Sequence, residues 1–381
     1  MVQRVTNELD VWARGKIELV ERKLSAEVER VGDQIPYMAR GGQSVDGSYT
    51  LKTERPDIHW WTNGFWPGIL WQMYHLTQDE RYLRAARGAE DRLDEAFEEF
   101  DRLNHDVGFM WQLSAVADWR LTGNERSLAR GMHAATLLAG RYNPLGKFLS
   151  AFNDDRTGWT IIDTMMNLPL LHWASGEIDD PRFSAIAEEH ADTAARILLR
   201  GDGSAHHVAV LDPATGELLE TPAGQGCAPG SSWSRGQSWA VYGFALSYRH
   251  TGRAEYLDAA KRAAHYFCSQ VALTGDVPLI DFRAPAEPVL WDTSAGCAAA
   301  CGLIEISRHV PEAEAAFYLG WAGRLLRAVA ERHADWDPET DGIVQDSSVA
   351  YRKFQHVHLV YADYFFIEAL LRLTGQDAQL W

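Results

Sequence analysis

The chain has 381 residues, 46% hydrophobic and 23% charged, an ordinary globular composition with room for one large domain or several average ones. Its formal charge of −17 argues against nucleic acid and anionic membranes as partners, since both are bound through clustered Lys and Arg. An anionic small molecule would need a site whose local field opposes that of the whole protein.

In chain order, the N-terminal segment carries Arg4, Glu8, Asp10, Arg14 and Lys16 without an apolar run, so it does not read as a signal peptide. No stretch has the apolar length of a membrane span, and the expected location is the cytoplasm. A Trp- and Gly-rich piece follows, with Trp60, Trp61, Asn63, Gly64, Phe65, Trp66 and Trp71. An apolar helix then breaks at Thr77 and restarts with Tyr82, Ala86, Ala89 and Leu93 at helical spacing.

The same arrangement, a helix end, a Thr-Gly-like break and a polar restart, recurs at Thr122-Gly123, Gly176, Thr251-Gly252, Val310-Pro311 and Thr374-Gly375. Strand-like alternation is scarce; Ala209-Val210-Leu211 and Val277-Pro278-Leu279-Ile280 read as short hairpin or loop pieces. Copies roughly 45 to 75 residues apart, each a helical hairpin, imply stacked pairs that share a core. About six hairpins without a linker predict an all-α fold, an (α/α)6 barrel occupying residues 1–381 as a single catalytic domain. An open solenoid would show a shorter, more regular period. In such a ring the inner helices converge at one end, where the Trp- and Gly-rich pieces fall, and the Thr-Gly turns lie at the other.

Two carboxylates stand before apolar runs. Asp163 has Ile161 and Ile162 before it and Met165 and Met166 after it. Buried there, it should hold its proton and could serve as a general acid; equally, it could be a helix N-cap. Asp106, ahead of Val107-Gly108-Phe109-Met110-Trp111, reads first as a cap. The 15 Trp offer platforms for the apolar faces of sugar rings, although Trp71, Trp119 and Trp173 sit in apolar runs and read as core. Cys227, Cys268, Cys297 and Cys301 have no zinc spacing, and Cys297 with Cys301 read as helix packing residues.

Taken together, Trp60–Trp71, His105–Phe109, Ile161–Asp163 with Asn167, Gly230–Leu246 and Tyr361–Arg372 resemble the unsaturated glucuronyl hydrolases of glycoside hydrolase family 88. The resemblance implies the same barrel and a small unsaturated oligosaccharide as substrate, one left by a polysaccharide lyase with a C4=C5 double bond in its terminal uronic acid. It implies hydration of that vinyl ether rather than displacement at the anomeric carbon. Asp163 matches the acid/base Asp, and Asp106 the second Asp that holds the sugar and supports the charge developing on its ring. Trp61, Phe152 (where relatives carry Trp), His207, Gln225, Trp233, Arg235 and Trp239 match residues of the sugar site. His206 beside His207 leaves a one-residue slip open, and Arg235 reads equally as half of a buried ion pair.

No cofactor and no metal are expected, since His356 and His358 have no evident third ligand. The segment Asp346–His358 departs from the family pattern, so the leaving sugar, any sulfate on it and the parent polysaccharide stay open, as does the oligomeric state. Alternatives are the sister unsaturated rhamnogalacturonyl hydrolases, an inverting glycosidase on saturated sugars using Asp163 as acid and Asp106 as base, or a glycan-binding protein that is not an enzyme.

Overall fold

The computed structural model describes residues 2–39 and 48–381. Helices follow one another through most of this length, in two kinds. The apolar ones are buried on all sides: α2 (Phe65–Thr77), α4 (Val107–Gln112) with α5 (Ala115–Thr122), α7 (Leu168–Ile178), α9 (Ser234–Thr251), α11 (Thr293–Ser307) and α13 (Val360–Thr374). The amphipathic ones bury a single stripe: α1 (Val2–Val31), α3 (Glu80–Glu98), α6 (Glu125–Ala139), α8 (Arg182–Ile197), α10 (Ala254–Val271) and α12 (Glu312–Arg332). In α3 that stripe is Tyr82, Ala85, Ala86, Ala89, Leu93 and Ala96, the spacing expected from the sequence.

Each inner helix packs on its neighbours in the order α2, α4/α5, α7, α9, α11, α13 and back to α2, which closes the ring. The outer partners follow their inner helices in sequence except at the last position. After α13 only a short tail remains, and its outer partner is α1, from the other end of the chain. Six breaks are legible in the sequence, but α1 is marked by none of them, because it precedes every copy of the repeat.

Five inner helices end at a residue in the left-handed region: Gln78 (φ 58°), Gly123 (71°), Asp179 (52°), Gly252 (69°) and Gly375 (68°). The expected stop at Gly176 is corrected: α7 runs through it to Ile178 and Asp179 makes the turn. These turns occupy one end of the barrel. The longer connections, from outer helices back to inner ones, occupy the other and carry the short antiparallel sheets. Those are β1 (Pro36–Ala39) between β2 (Thr50–Leu51) and β8 (His358–Leu359), the pair β3 (Tyr142–Asn143) and β4 (Phe148–Leu149), and β6 (Val208–Leu211) between β5 (Trp159–Ile161) and β7 (Leu218–Glu220). Residues 277–280 form no named strand; Leu279 bridges Trp291 in the connection to α11.

A large continuous apolar core fills the space between the two rings, with Trp71 and Trp173 buried in it, Trp119 packed against it, and Cys268, Cys297 and Cys301 buried as free thiols. A separate small cluster, Ala151, Ile161 and Val208 with Phe152 and Trp159, lies under the connections at the sheet-bearing end. Among the described residues, no helix is long and apolar enough to cross a membrane.

Candidate active site

The inner helices all begin at the sheet-bearing end, so their N-termini, the positive ends of their dipoles, point toward a shared centre. The residues just before or at those starts are Trp61 for α2, Asp106 for α4, Asp163 for α7, Trp233 and Arg235 for α9, Asp292 for α11 and Tyr361 for α13. Segments far apart in sequence thus supply one cluster of carboxylates and aromatic rings.

Asp106 occupies the N-cap position of α4, yet its side chain makes no capping hydrogen bond. Its Oδ1 instead accepts from Nδ2 of Asn167 at 3.3 Å, and the same amide nitrogen lies 3.1 Å from the backbone carbonyl of Asp163. Asn167 Oδ1 accepts the backbone N–H of Phe109 at 2.7 Å. Asn167 therefore ties the two carboxylate-bearing segments together. Gly108 makes this approach feasible: a Cβ there would fall 2.6 Å from Asn167 Oδ1. The sequence pattern contained Asn167 but did not distinguish it from a helix-start residue. Asp163 lies in a short 3-10 helix, Ile162–Met166, and caps nothing.

His207 comes from the start of β6. Its Nδ1 accepts the backbone N–H of Gln225 at 2.8 Å, and its Nε2 lies 3.3 Å from Asp163 Oδ1. The approach is oblique, so Oδ1 is buried without a hydrogen-bond partner among the described residues. A buried carboxylate oxygen with an open lone pair is a site for a ligand or water. His206 turns the other way, against Arg200 at 3.1 Å and 2.9 Å, which makes His207 the histidine of the site. His105 is buried behind Asp106, with Nε2 3.6 Å from Asp106 Oδ2 and Nδ1 2.8 Å from Thr164 Oγ1.

The electrostatics shift the two carboxyls in opposite directions, whereas the sequence reading expects the raised group to be Asp163. Burial and the negative charge of Asp163 push Asp106 up to about 8, against the weaker pull of Asn167 and Arg141. Burial also raises Asp163, but the facing His207, with the charge of Arg235, outweighs burial and leaves it below the usual carboxylate range. The two carboxyls interact, so their titration belongs to the pair. Burial, helped by the charge of Arg141 and opposed by that of Asp163, brings His105 down to about 3, so it is neutral near pH 7.

Of the expected sugar-site residues, Trp61 is half-buried and rests on Tyr361 (4.9 Å between ring centroids), Phe109 (5.4 Å) and Phe65 (5.7 Å). Gln225 is half-buried on the loop that anchors His207, and its Oε1 accepts from Arg235 Nη2 at 3.1 Å. Phe152 is half-buried near His105, with the Arg156 guanidinium stacked 3.5 Å over its ring. Arg235 takes the second of its two readings, half of a buried ion pair: it is 1% exposed, pairs with Asp292 at 2.6 Å and donates to the carbonyls of Ser348 and Val349. Trp233 is buried between His207 (4.4 Å) and the Arg235 guanidinium (4.5 Å). Trp239 lies wholly in the core against Phe109 and Phe365, as floor rather than wall.

The family model for Glycosyl Hydrolase Family 88 matches residues 41–273, the part of the chain that supplies both carboxylates and His207. The chain belongs to glycoside hydrolase family 88. Its similarity to an unsaturated glucuronyl hydrolase of Bacillus sp. (strain GL1) is 35% identity over 93% of this chain and 94% of that one. An unsaturated chondroitin disaccharide hydrolase of Streptococcus pneumoniae (strain ATCC BAA-255 / R6) is 31% identical over 96% of this chain and 92% of its own. A solved family member carrying dGlcA-Glc-Rha-Glc superposes with a TM-score of 0.86 at 34% identity, covering 94% of this chain and 95% of that one. The (α/α)6 barrel expected from the breaks is thus the fold of this family 88 glycoside hydrolase.

The segment that departs from the family pattern lies at the rim of the site. Tyr351 N donates to the carbonyl of Gln225 at 2.9 Å, which seats residues 346–358 on the 223–229 loop. A cavity of about 310 Å3 opens between them, lined by Gly224, Gln225, Cys227, Ala350 and Arg352. Lys353 is exposed, and His356 Nε2 accepts from Trp291 N at 3.1 Å. A larger cavity of about 710 Å3 lies beside Phe152, among Asn104, Arg141 and Asn153; neither Asp106 nor Asp163 lines it.

Proposed function

We propose that this family 88 enzyme releases the unsaturated uronic acid from the non-reducing end of lyase-generated oligosaccharides by hydrating its C4=C5 bond. The observation that carries the reading is the Asp106–Asp163 pair: two buried carboxyls on segments tied together by Asn167, which donates to Asp106 Oδ1 and to the backbone carbonyl of Asp163, with an unfilled acceptor on Asp163 Oδ1 beside His207 Nε2. Hydrating a vinyl ether requires one proton delivered to carbon and one taken from water, within a site shielded from bulk solvent. In this assignment the proton on Asp106 goes to C4. The Asp163 carboxylate, steadied by His207, takes a proton from the water that adds at C5. The resulting hemiketal opens and the glycosidic bond breaks. One proton enters the substrate and one returns to the pair on Asp163, and it passes to Asp106 before the next turnover.

The small half-exposed aromatic surface at Trp61 suits the apolar face of a sugar ring. The six converging helix N-termini favour the uronate carboxylate despite the overall charge of −17. The chemistry needs a proton donor rather than a Lewis acid, so activity is expected without an added metal. A single catalytic domain fits the continuous core, and four free thiols fit a cytoplasmic location.

The test is to incubate the protein with an unsaturated uronyl disaccharide and follow the ultraviolet absorbance of the C=C bond. Its decay supports hydration. Free sugar appearing while the absorbance persists means ordinary hydrolysis at the anomeric carbon, and the proposal falls.

A further inference from the structure

The inner ring orders its helices α2, α4/α5, α7, α9, α11, α13, so α13 stands across the barrel from α7. Asp163 precedes α7, and Tyr361 opens α13. From Asp163, a run of contacts leads to Tyr361: His207 lies 3.3 Å from Asp163, Trp233 lies tilted against His207 at 4.4 Å, Arg235 lies 4.5 Å from Trp233, and the same guanidinium lies 5.2 Å from the ring of Tyr361. Trp61 also rests on Tyr361, at 4.9 Å. The buried Tyr361 ring is thus joined to the half-buried Trp61 and, through Arg235 and Trp233, to the histidine facing Asp163.

Two donors on this side have nothing to bind. The hydroxyl of Tyr361 and the Nε–H of Arg235 are both buried without a hydrogen-bond partner among the described residues. A buried donor left unpaired is costly, and adjacent pairs of them are rare away from binding sites. The charge of Arg235 is already matched by Asp292, and burial keeps the Tyr361 phenol protonated, so what this corner offers is a pair of N–H and O–H donors rather than a free cation. A carboxylate, with two oxygens, fits such a pair.

We infer that Tyr361 is a substrate-binding residue whose phenol, with the Nε–H of Arg235, donates to the carboxylate of the unsaturated uronic acid. The inference rests on the function proposed above. It gives the sugar an orientation: carboxylate toward α13, double bond toward Asp106 and Asp163.

The experiment compares wild-type enzyme and Tyr361→Phe on an unsaturated uronyl disaccharide and on its uronic acid methyl ester, following loss of the C=C absorbance. Phe keeps the ring contacts with Trp61 and Arg235 and removes only the hydroxyl. The expected result is a KM for the acid raised about tenfold or more, with kcat little changed, while the ester reacts alike with both enzymes. The melting temperature should hold or rise, because the group removed is an unpaired buried donor. Unchanged KM for the acid, equal losses on acid and ester, or a wild type with no preference for the acid would each overturn the inference while leaving the hydration reaction in place. A wild type that never consumes the double bond overturns both.

Discussion

Nε2 of His207 lies 3.3 Å from the Asp163 carboxylate, and the bond made by the other ring nitrogen decides what it carries. Because Nδ1 accepts the N–H of Gln225 at 2.8 Å, the ring proton of the neutral imidazole must sit on Nε2, facing Asp163. That contact keeps Asp163 ionised and, through the repulsion between the two carboxyls, helps to keep Asp106 protonated.

Asp163→Asn and Asp106→Asn should each abolish turnover with the fold retained, because an amide preserves shape but neither gives nor takes the proton. The expected loss in kcat is about 10²- to 10⁴-fold for each. Circular dichroism and the absorbance assay together check this. Near-normal rates in either variant would remove that residue from the mechanism.

Gly224 adopts φ +58°, and a Cβ there would lie 1.9 Å from His207 Nδ1. Gly224→Ala should therefore push the imidazole off Asp163 and cost about a hundredfold in rate, as a displacement of roughly 1 Å in a catalytic constellation does. His207→Gln, which keeps an N–H donor of similar reach, should lose less than His207→Ala. If Gly224→Ala is as active as wild type, the anchoring of His207 by the 223–229 loop has no catalytic consequence.

The pH dependence follows from the signs of the two shifts. The free enzyme needs Asp106 protonated and Asp163 ionised. kcat/KM should thus fall as pH rises past about 8, where Asp106 loses its proton, and fall on the acid side only below the usual carboxylate range, where Asp163 gains one. The profile is a broad plateau spanning neutrality. A steep decline between pH 6 and 7 would contradict the assignment.

Stability should fall in acid for a separate reason. Burial holds His105 and His190 down at about 3, His172 and His206 at about 4, and His250 well below its ordinary value. Their unfolded forms titrate near 6.5, so below that pH the unfolded chain binds more protons and stability declines toward pH 4. Asp106 and Glu90, each raised to about 8, act oppositely, as do Glu27, Asp292 and Asp363, which burial also raises: they bind protons in the folded state and let stability fall as pH rises above about 4. With His265 and His358, which burial also lowers, the histidines outnumber them below 6.5; above it only the carboxyls remain. The urea midpoint should peak near pH 6 to 7, and Asp106→Asn should flatten its alkaline side. A midpoint constant from pH 7 to 4.5 would contradict the buried neutral histidines.

What the sequence determined by itself was periodic or local. Stop and start signals at Thr77, Gly123, Gly252 and Gly375 announced the hairpins, because a helix end is written in its last residues. The carboxylates stood out because Asp163 lies among Ile161, Ile162, Met165 and Met166, a surrounding visible without coordinates. The tertiary structure decided everything that depends on residues meeting from different hairpins. The closing helix α1 pairs with α13 from the far end of the chain. His207 rather than His206 faces Asp163. Arg235 is spent on Asp292, and Trp239 lies in the floor. The opposite shifts of Asp106 and Asp163 have the same origin. Burial, which the sequence does show, raises both groups; which one keeps the proton is set by charges and N–H groups within a few ångströms, and only the closed ring brings those together.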